Sequence, residues 1–184
     1  MKKAELRRSL IKSRQSIPVE EWREKSDRIC SGLQSSLLFT QAQTILAYFS
    51  FRQEPDLSPL FIGNKKHWGF PRVEGKSLIW HSWQLGEQGK KGSYGIFEPS
   101  LESPTLEPDQ VDLILVPAVA CDVQGYRLGY GGGFYDRMLS LPEWQVKSTV
   151  GIVFEFAYLE QLPIDDWDRQ MHGVCTEFGL RMTK

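Results

Sequence analysis

The sequence predicts a layered α/β domain. Apolar, strand-like runs alternate with stretches of helical periodicity along the chain, the pattern of a sheet with helices packed on it. A glycine-rich loop between an apolar run and a helical stretch adds a strand–loop–helix unit. With 184 residues, 41% hydrophobic and 24% charged, the chain is of ordinary globular composition and long enough for one sizeable core. We expect a single domain over residues 1–184.

Residues 2–14 have Leu6, Leu10 and Ile11 at helical spacing. The same stretch holds six bases and one acid, +5, against 16 bases and 22 acids, −6, in the rest. The net charge of −1 therefore hides a local basic helix. A second helix is expected from about Val19, with Ser16 as N-cap, Pro18 just inside the start, and Trp22, Ile29 and Leu33 as its apolar stripe. Strands are expected at 44–49, 68–70, 78–83, 111–116 and 149–154. Short helices are expected at 57–62 and 135–139, and 100–108, with Pro104 and Pro108, reads as an exposed loop.

Several functions are disfavoured. A near-neutral chain lacks the basic excess for nucleic acid or an anionic membrane. Cys30, Cys121 and Cys175 are odd in number and far apart, without a CxxC pair, so no disulfide framework or zinc knuckle is expected; Cys121 reads as a core residue. His67, His81 and His172 form no metal-binding pattern. The longest apolar run, 113–121, contains Pro117 and is too short to span a bilayer, and the N-terminus lacks an apolar signal core. We expect a cytoplasmic monomer with small-molecule substrates, no nucleic acid and no membrane.

The stretch RLGYGGGFYDR at 127–137 is the most informative. Gly129, Gly131, Gly132 and Gly133 permit positive φ and close backbone approach, and successive N–H groups entering a helix suit an anion. It is neither GxxxxGK[ST] nor GxGxxG. Arg127 and Arg137 flank it, which favours a phosphate site over a plain tight connection. Asp136 has two open readings, a first-turn carboxylate favoured by the helix dipole or an oxygen ligand for Mg²⁺.

This loop, with DLILVPAVACDVQGY before it, resembles the signature of the 5-formyltetrahydrofolate cyclo-ligase family. Collinear matches extend over almost the whole chain: KAELR at 3–7, YFSFRQE at 48–54, FPR at 70–72, YGIFEP at 94–99, Asp168, and Thr176-Glu177. The resemblance implies a three-layer α/β domain with a mostly parallel central sheet. It implies that ATP phosphorylates the formyl oxygen of 5-formyltetrahydrofolate, that N10 attacks the resulting iminophosphate, and that phosphate leaves to give 5,10-methenyltetrahydrofolate, with Mg²⁺ as cofactor.

Carried over residue by residue, Lys3 and Arg7 would bind ATP phosphates from one face of the first helix. Taken alone, that run reads better as a solvated basic face. Arg127, Leu128, Gly129, Tyr130, Gly131, Gly132, Gly133, Phe134 and Tyr135 would wrap the nucleotide, and Tyr130 to Phe134 would also touch the folate. Arg127, Tyr135 and Asp136 would carry catalysis, and Asp136 and Asp168 would hold Mg²⁺. Phe49, Glu54 and Tyr94 would bind the folate, the carboxylate pairing with pterin N–H donors and the aromatics walling the ring. Arg72 reads as a surface arginine or an anion contact.

The chain departs from the family pattern at four places. Leu57 stands where the family has threonine, Gly132 where some members have lysine, Trp167 where histidine often precedes the aspartate, and His172 where a later aspartate occurs. Two rival readings remain in view: a folate- or nucleotide-binding homologue without turnover, and a phosphosugar isomerase or transferase, which leaves the N-terminal KxxLR unexplained.

Overall fold

The computed structural model describes residues 2–62 and 65–183. The helices are α1 (Lys3–Gln15), α2 (Val19–Gln34), α3 (Leu37–Gln41), α4 (Ser58–Phe61), α5 (Phe134–Leu139) and α6 (Pro142–Gln145). The strands are β1 (Thr44–Leu46), β2 (His67–Glu74), β3 (Ser77–Ser82), β4 (Gly89–Lys91), β5 (Phe97–Pro99), β6 (Leu113–Pro117), β7 (Ala120–Asp122), β8 (Arg127–Leu128), β9 (Ser148–Ile152), β10 (Tyr158–Leu159), β11 (Gly173–Thr176) and β12 (Gly179–Met182).

Among the described residues the main sheet has seven strands in the order β12-β11-β9-β6-β1-β2-β3. The pairs β11–β9, β9–β6, β6–β1 and β1–β2 are parallel, and the outer pairs β11–β12 and β2–β3 are antiparallel. A parallel sheet is covered on both faces, so its strands read as near-continuous apolar runs. That is why Leu113, Ile114, Leu115 and Val116 are all at most 1% exposed.

The two faces of the sheet carry separate cores. Ile45, Leu113, Leu115, Val150 and Ile152 pack against Ile29 and Leu33 of α2, Phe39 of α3 and Leu60 of α4. Leu46, Ile114 and Val116 point the other way, onto Met138 and Leu139 of α5 and Trp144 of α6. Helix, sheet and helix form the three expected layers. Pro71 lies beyond the three β2 residues that pair with β1, so its missing N–H removes no bond on that side.

Ser16 does not cap α2. It closes α1, its N–H reaching the Lys12 carbonyl at 3.1 Å, and Pro18 stands at the N-cap of α2. The fixed φ of Pro18, at −56°, sets the entry angle that a capping side chain would otherwise stabilise. Arg72 is not a surface residue: it is 6% exposed, donates to the Pro99 carbonyl at 2.5 Å and lies 3.6 Å from Glu98. The three cysteines are buried and free, and burial pushes the Cys121 thiol up to about 12, which suits a core position.

A second small sheet, β10-β7-β8, extends from the carboxyl end of β6. Its core of Ala118, Val119, Ala120, Cys121 and Leu128 receives Leu6, Leu10 and Ile11 of α1. The apolar stripe of the basic helix is thereby docked, and α1 is fixed across the ends of the parallel strands. Among the described residues no helix is long and apolar enough to cross a membrane.

Candidate active site

The carboxyl ends of β1 and β6 lead into the segments that hold most of the expected site residues, the place where open α/β sheets receive ligands. The chain from β1 turns sharply at Arg52 and Gln53, which both have positive φ (48° and 55°). This turn folds Glu54 back into the protein. The Glu54 carbonyl accepts from Trp22 Nε1 at 2.9 Å and Ser50 Oγ at 2.7 Å.

The Glu54 side chain is 3% exposed. Its Oε2 accepts from the Phe51 N–H at 3.0 Å, and the Tyr130 phenol is close enough to act on the carboxylate. Burial pushes the carboxyl up to about 7, with Arg14, the Phe51 N–H and Tyr130 acting against it. Phe49, which precedes the turn, stacks on Phe70 at 4.0 Å between ring centroids and meets Phe61, Trp83 and Phe97 edge-on. Of the two roles open to Phe49 from sequence, the structure shows the packing one: its ring joins an aromatic cluster at a strand end.

The glycine loop follows β8. Gly131 has φ 102° and Gly133, the N-cap of α5, has φ 67°, a conformation that a side chain would strain. Arg127 lies beneath the loop rather than beside it. It is 7% exposed, donates to the Pro117 carbonyl at 3.3 Å and to Asp136 Oδ1 at 3.4 Å, and sits 5.1 Å from the Tyr135 ring centroid. Among the described residues its buried Nε has no hydrogen-bond partner. Burial and the nearby Glu54 charge hold the Tyr135 phenol protonated well above its ordinary value, and Arg127 opposes them. Phe134 meets the exposed Tyr94 edge-on at 5.9 Å, so these two expected folate contacts adjoin at the loop surface.

Helix α1 ties the loop down. Arg7 Nε donates to the Gly129 carbonyl at 2.6 Å. Lys3 Nζ reaches Asp165 Oδ2 at 2.6 Å and Asp168 Oδ2 at 2.5 Å, and these partners raise its pKa despite the opposing effect of burial. Asp168 therefore meets the first helix, and lines a cleft of about 500 Å³ with Asp165, Arg169 and His172. Asp136 meets Arg127 instead. Among the described residues no three His, Cys, Asp or Glu side chains converge as a metal cluster. His172 belongs to the strand framework, its Nδ1 accepting from the Thr149 N–H at 3.2 Å. Trp167 is exposed, and Leu57 is buried at the start of α4.

One residue at the centre of this arrangement was not singled out in the sequence. Arg14, 3% exposed, donates from Nε to the Arg52 carbonyl at 3.0 Å, from Nη1 to the Ala118 carbonyl at 3.4 Å, and from Nη2 to the Tyr130 hydroxyl. A signal was present: Lys3, Arg7 and Arg14 fall within about 40° of one another on a helix of 100° per residue, on the side of Leu10, whereas Arg8 and Lys12 face away.

Known proteins match the chain along nearly its whole length. The sequence pattern of the 5-formyltetrahydrofolate cyclo-ligase family matches residues 1–177. A 5-formyltetrahydrofolate cyclo-ligase of Mycolicibacterium smegmatis is 30% identical over 95% of this chain and 93% of its own. One from Haemophilus influenzae is 29% identical over 94% of this chain and 96% of its own. The solution structure of Aquifex aeolicus 5,10-methenyltetrahydrofolate synthetase superposes with a TM-score of 0.88 at 34% identity, covering 100% of this chain and 94% of that one. With the family pattern matched over nearly its whole length, the chain belongs to the 5-formyltetrahydrofolate cyclo-ligase family.

Proposed function

We propose that this chain is an ATP-dependent ligase that cyclises 5-formyltetrahydrofolate to 5,10-methenyltetrahydrofolate and releases ADP and phosphate. The observation that carries this reading is the position of α1. It places Arg7 on the glycine loop and Arg14 on the turn that buries Glu54, so one helix borders both a cationic, glycine-lined surface and a pocket-forming carboxylate. The first suits a triphosphate, and the second suits the N–H donors of a pterin.

In this reading the loop N–H groups at 131–133, Arg7 and Lys3 hold the phosphates, with Arg127 neutralising charge from below. Glu54 fixes the pterin by accepting its N–H donors, with Phe49, Tyr94 and Phe134 as apolar walls. The formyl oxygen attacks the γ-phosphorus and ADP departs. N10 then attacks the formyl carbon of the iminophosphate, which closes the five-membered ring, and loss of phosphate from that carbon together with the N10 proton gives the methenyl product. The protein's part is positioning and charge stabilisation, as in other phosphoryl transfers.

The donor set fits Mg²⁺ in type. Asp136 and Asp168 offer carboxylate oxygens, and Mg²⁺ is commonly held by one or two carboxylates together with substrate phosphates rather than by a protein cage. Asp136 has lone pairs to spare, because its contact with Arg127 is long at 3.4 Å. Asp168 would exchange Lys3 for the cation, leaving Lys3 for a phosphate. Bound there, Mg²⁺ would neutralise charge on the transferring phosphoryl group.

The test is direct. Purified protein is incubated with 5-formyltetrahydrofolate, Mg²⁺ and ATP, and the methenyl product is followed by its absorbance. Product formation that requires both ATP and Mg²⁺ is expected. ATP binding without product would turn the reading to a binding protein without turnover. We place the activity in a soluble monomer acting in the cytoplasm on small molecules alone.

A further inference from the structure

Arg14 has no role in the reading above beyond bordering the pocket, yet it is among the most buried cations of the chain. Its bonds reach the glycine loop and the Glu54 turn at once. Arg14 has only donors, so the Tyr130 oxygen must accept from it. The Tyr130 phenol in turn feels the Glu54 charge. Arg14 and Glu54 do not pair directly among the described residues; both act on the Tyr130 phenol. A second Arg14 donor holds the carbonyl of Arg52, in the positive-φ turn that aims Glu54 inward.

We infer that Arg14 is a positioning residue for folate binding: by holding the Arg52 carbonyl and the Tyr130 hydroxyl it sets the turn that presents the Glu54 carboxylate to the pterin donors and links the folate pocket to the glycine loop. This rests on the cyclo-ligase reading. Tyr130 belongs to the loop that would wrap ATP and Arg52 to the turn that aims Glu54, so the two Arg14 bonds make loop and pocket share one network, and such buried networks respond as a unit. Other titratable groups facing Glu54 are Tyr48 beyond the end of β1, Tyr130 and Tyr135, all phenols that burial and the Glu54 charge keep neutral. Arg52, on the Glu54 turn itself, directs its guanidinium to the Phe51 and Tyr130 rings. Arg14 is thus the cation whose removal the carboxylate would feel most.

The experiment measures 5-formyltetrahydrofolate affinity between pH 5.5 and 9 for the wild-type chain, Arg14→Met and Arg14→Lys, without ATP. Wild-type affinity should weaken as pH falls through about 7, as Glu54 takes up a proton. Arg14→Met should move that midpoint upward by about one unit, lowering affinity about fivefold at pH 7 while leaving it near wild type at pH 9. Arg14→Lys, which keeps the charge, should restore the midpoint. A uniform loss at every pH, or an unmoved midpoint, would overturn the inference. Should Arg14→Met fail to fold by circular dichroism, Tyr130→Phe breaks the same network with Arg14 in place, and an unmoved midpoint there overturns it equally. If the wild-type chain binds no 5-formyltetrahydrofolate, the cyclo-ligase reading falls and this inference with it; binding with unmoved variants overturns only the inference.

Discussion

The glycine-loop side and the Glu54 side of the site are built from different materials. On the loop side, several cations stand around backbone that only glycine accommodates, and Lys3 remains partly exposed to water. On the Glu54 side, one carboxylate is buried, 3% exposed, and its burial raises its pKa to about 7. Charge near water is screened and shared, whereas a buried charge is strong and indispensable. Losses on the loop side should therefore be graded, and the loss on the Glu54 side should be abrupt.

The largest effect is expected from Glu54→Gln, which keeps the shape and removes the charge. Bonds to a buried charged group are worth about 1.5–3 kcal/mol each, so kcat/KM for 5-formyltetrahydrofolate should fall about 100-fold. Stability should move the other way. Between the ordinary carboxyl value of 4.5 and about 7, the folded chain holds a proton that the unfolded chain has lost. Stability from this group is therefore full at low pH and declines as pH rises through about 7. At pH 8 the variant should be more stable than the wild type, by up to about 3 kcal/mol, read from chemical denaturation at pH 4 and pH 8. A variant that loses both affinity and stability at pH 8 would mean that Glu54 serves the fold rather than the ligand.

On the loop side, Asp136→Asn should lower kcat about 30-fold, roughly 2 kcal/mol of transition-state stabilisation. The circular dichroism spectrum should not change, because the carboxylate is partly exposed and α5 buries Met138 and Leu139 instead. Titration of Mg²⁺ in the presence of a non-hydrolysable ATP analogue should show weaker metal binding. Unchanged turnover would leave Asp136 as a first-turn carboxylate paired with Arg127.

The same contrast governs how much was legible in the sequence. Strands β1, β2, β3, β6 and β9 were visible because burial on one or both faces writes itself as apolar runs. Strands β7, β8 and β10 escaped because two or three residues are too few for any period, and their pairing is long-range. The glycine loop declared itself through backbone chemistry that side chains cannot imitate. Phe49 and Glu54 carried little signal of their own: what makes Glu54 unusual is the turn at Arg52 and Gln53, where neither residue type announces positive φ. Arg14 was hidden among five other bases, and only its helical phase with Lys3 and Arg7 sets it apart.

A smaller loss is expected at Gly133→Ala. A β-carbon at φ 67° costs about 1–2 kcal/mol, here at the N-cap of α5 and against a flexible Arg137 atom 2.7 Å away. The melting temperature should drop about 3–6 °C, and KM for ATP should rise. Gly75→Ala is the control, since it has a similar φ of 60° in the β2–β3 turn with nothing within 4 Å. It should lose comparable stability and leave KM for ATP alone. Equal KM changes in both variants would assign the effect to general destabilisation rather than to the loop.

The smallest effect separates the two sides most clearly. Lys3 bridges Asp165 and Asp168 at the surface, with a quarter of its side chain exposed. Such pairs stabilise a fold by less than about 1 kcal/mol, so Lys3→Ala should shift the melting temperature little. It should raise KM for ATP about threefold to fivefold at 50 mM salt, a loss of under about 1 kcal/mol. That ratio should shrink toward one as salt approaches about 0.5 M, where the screening length falls below the reach of an exposed cation. The Glu54→Gln defect lies in a buried site and should keep its full size over the same range. A salt-independent Lys3 defect would place its ammonium in a desolvated contact with ATP, and the loop side would then share the character of the Glu54 pocket.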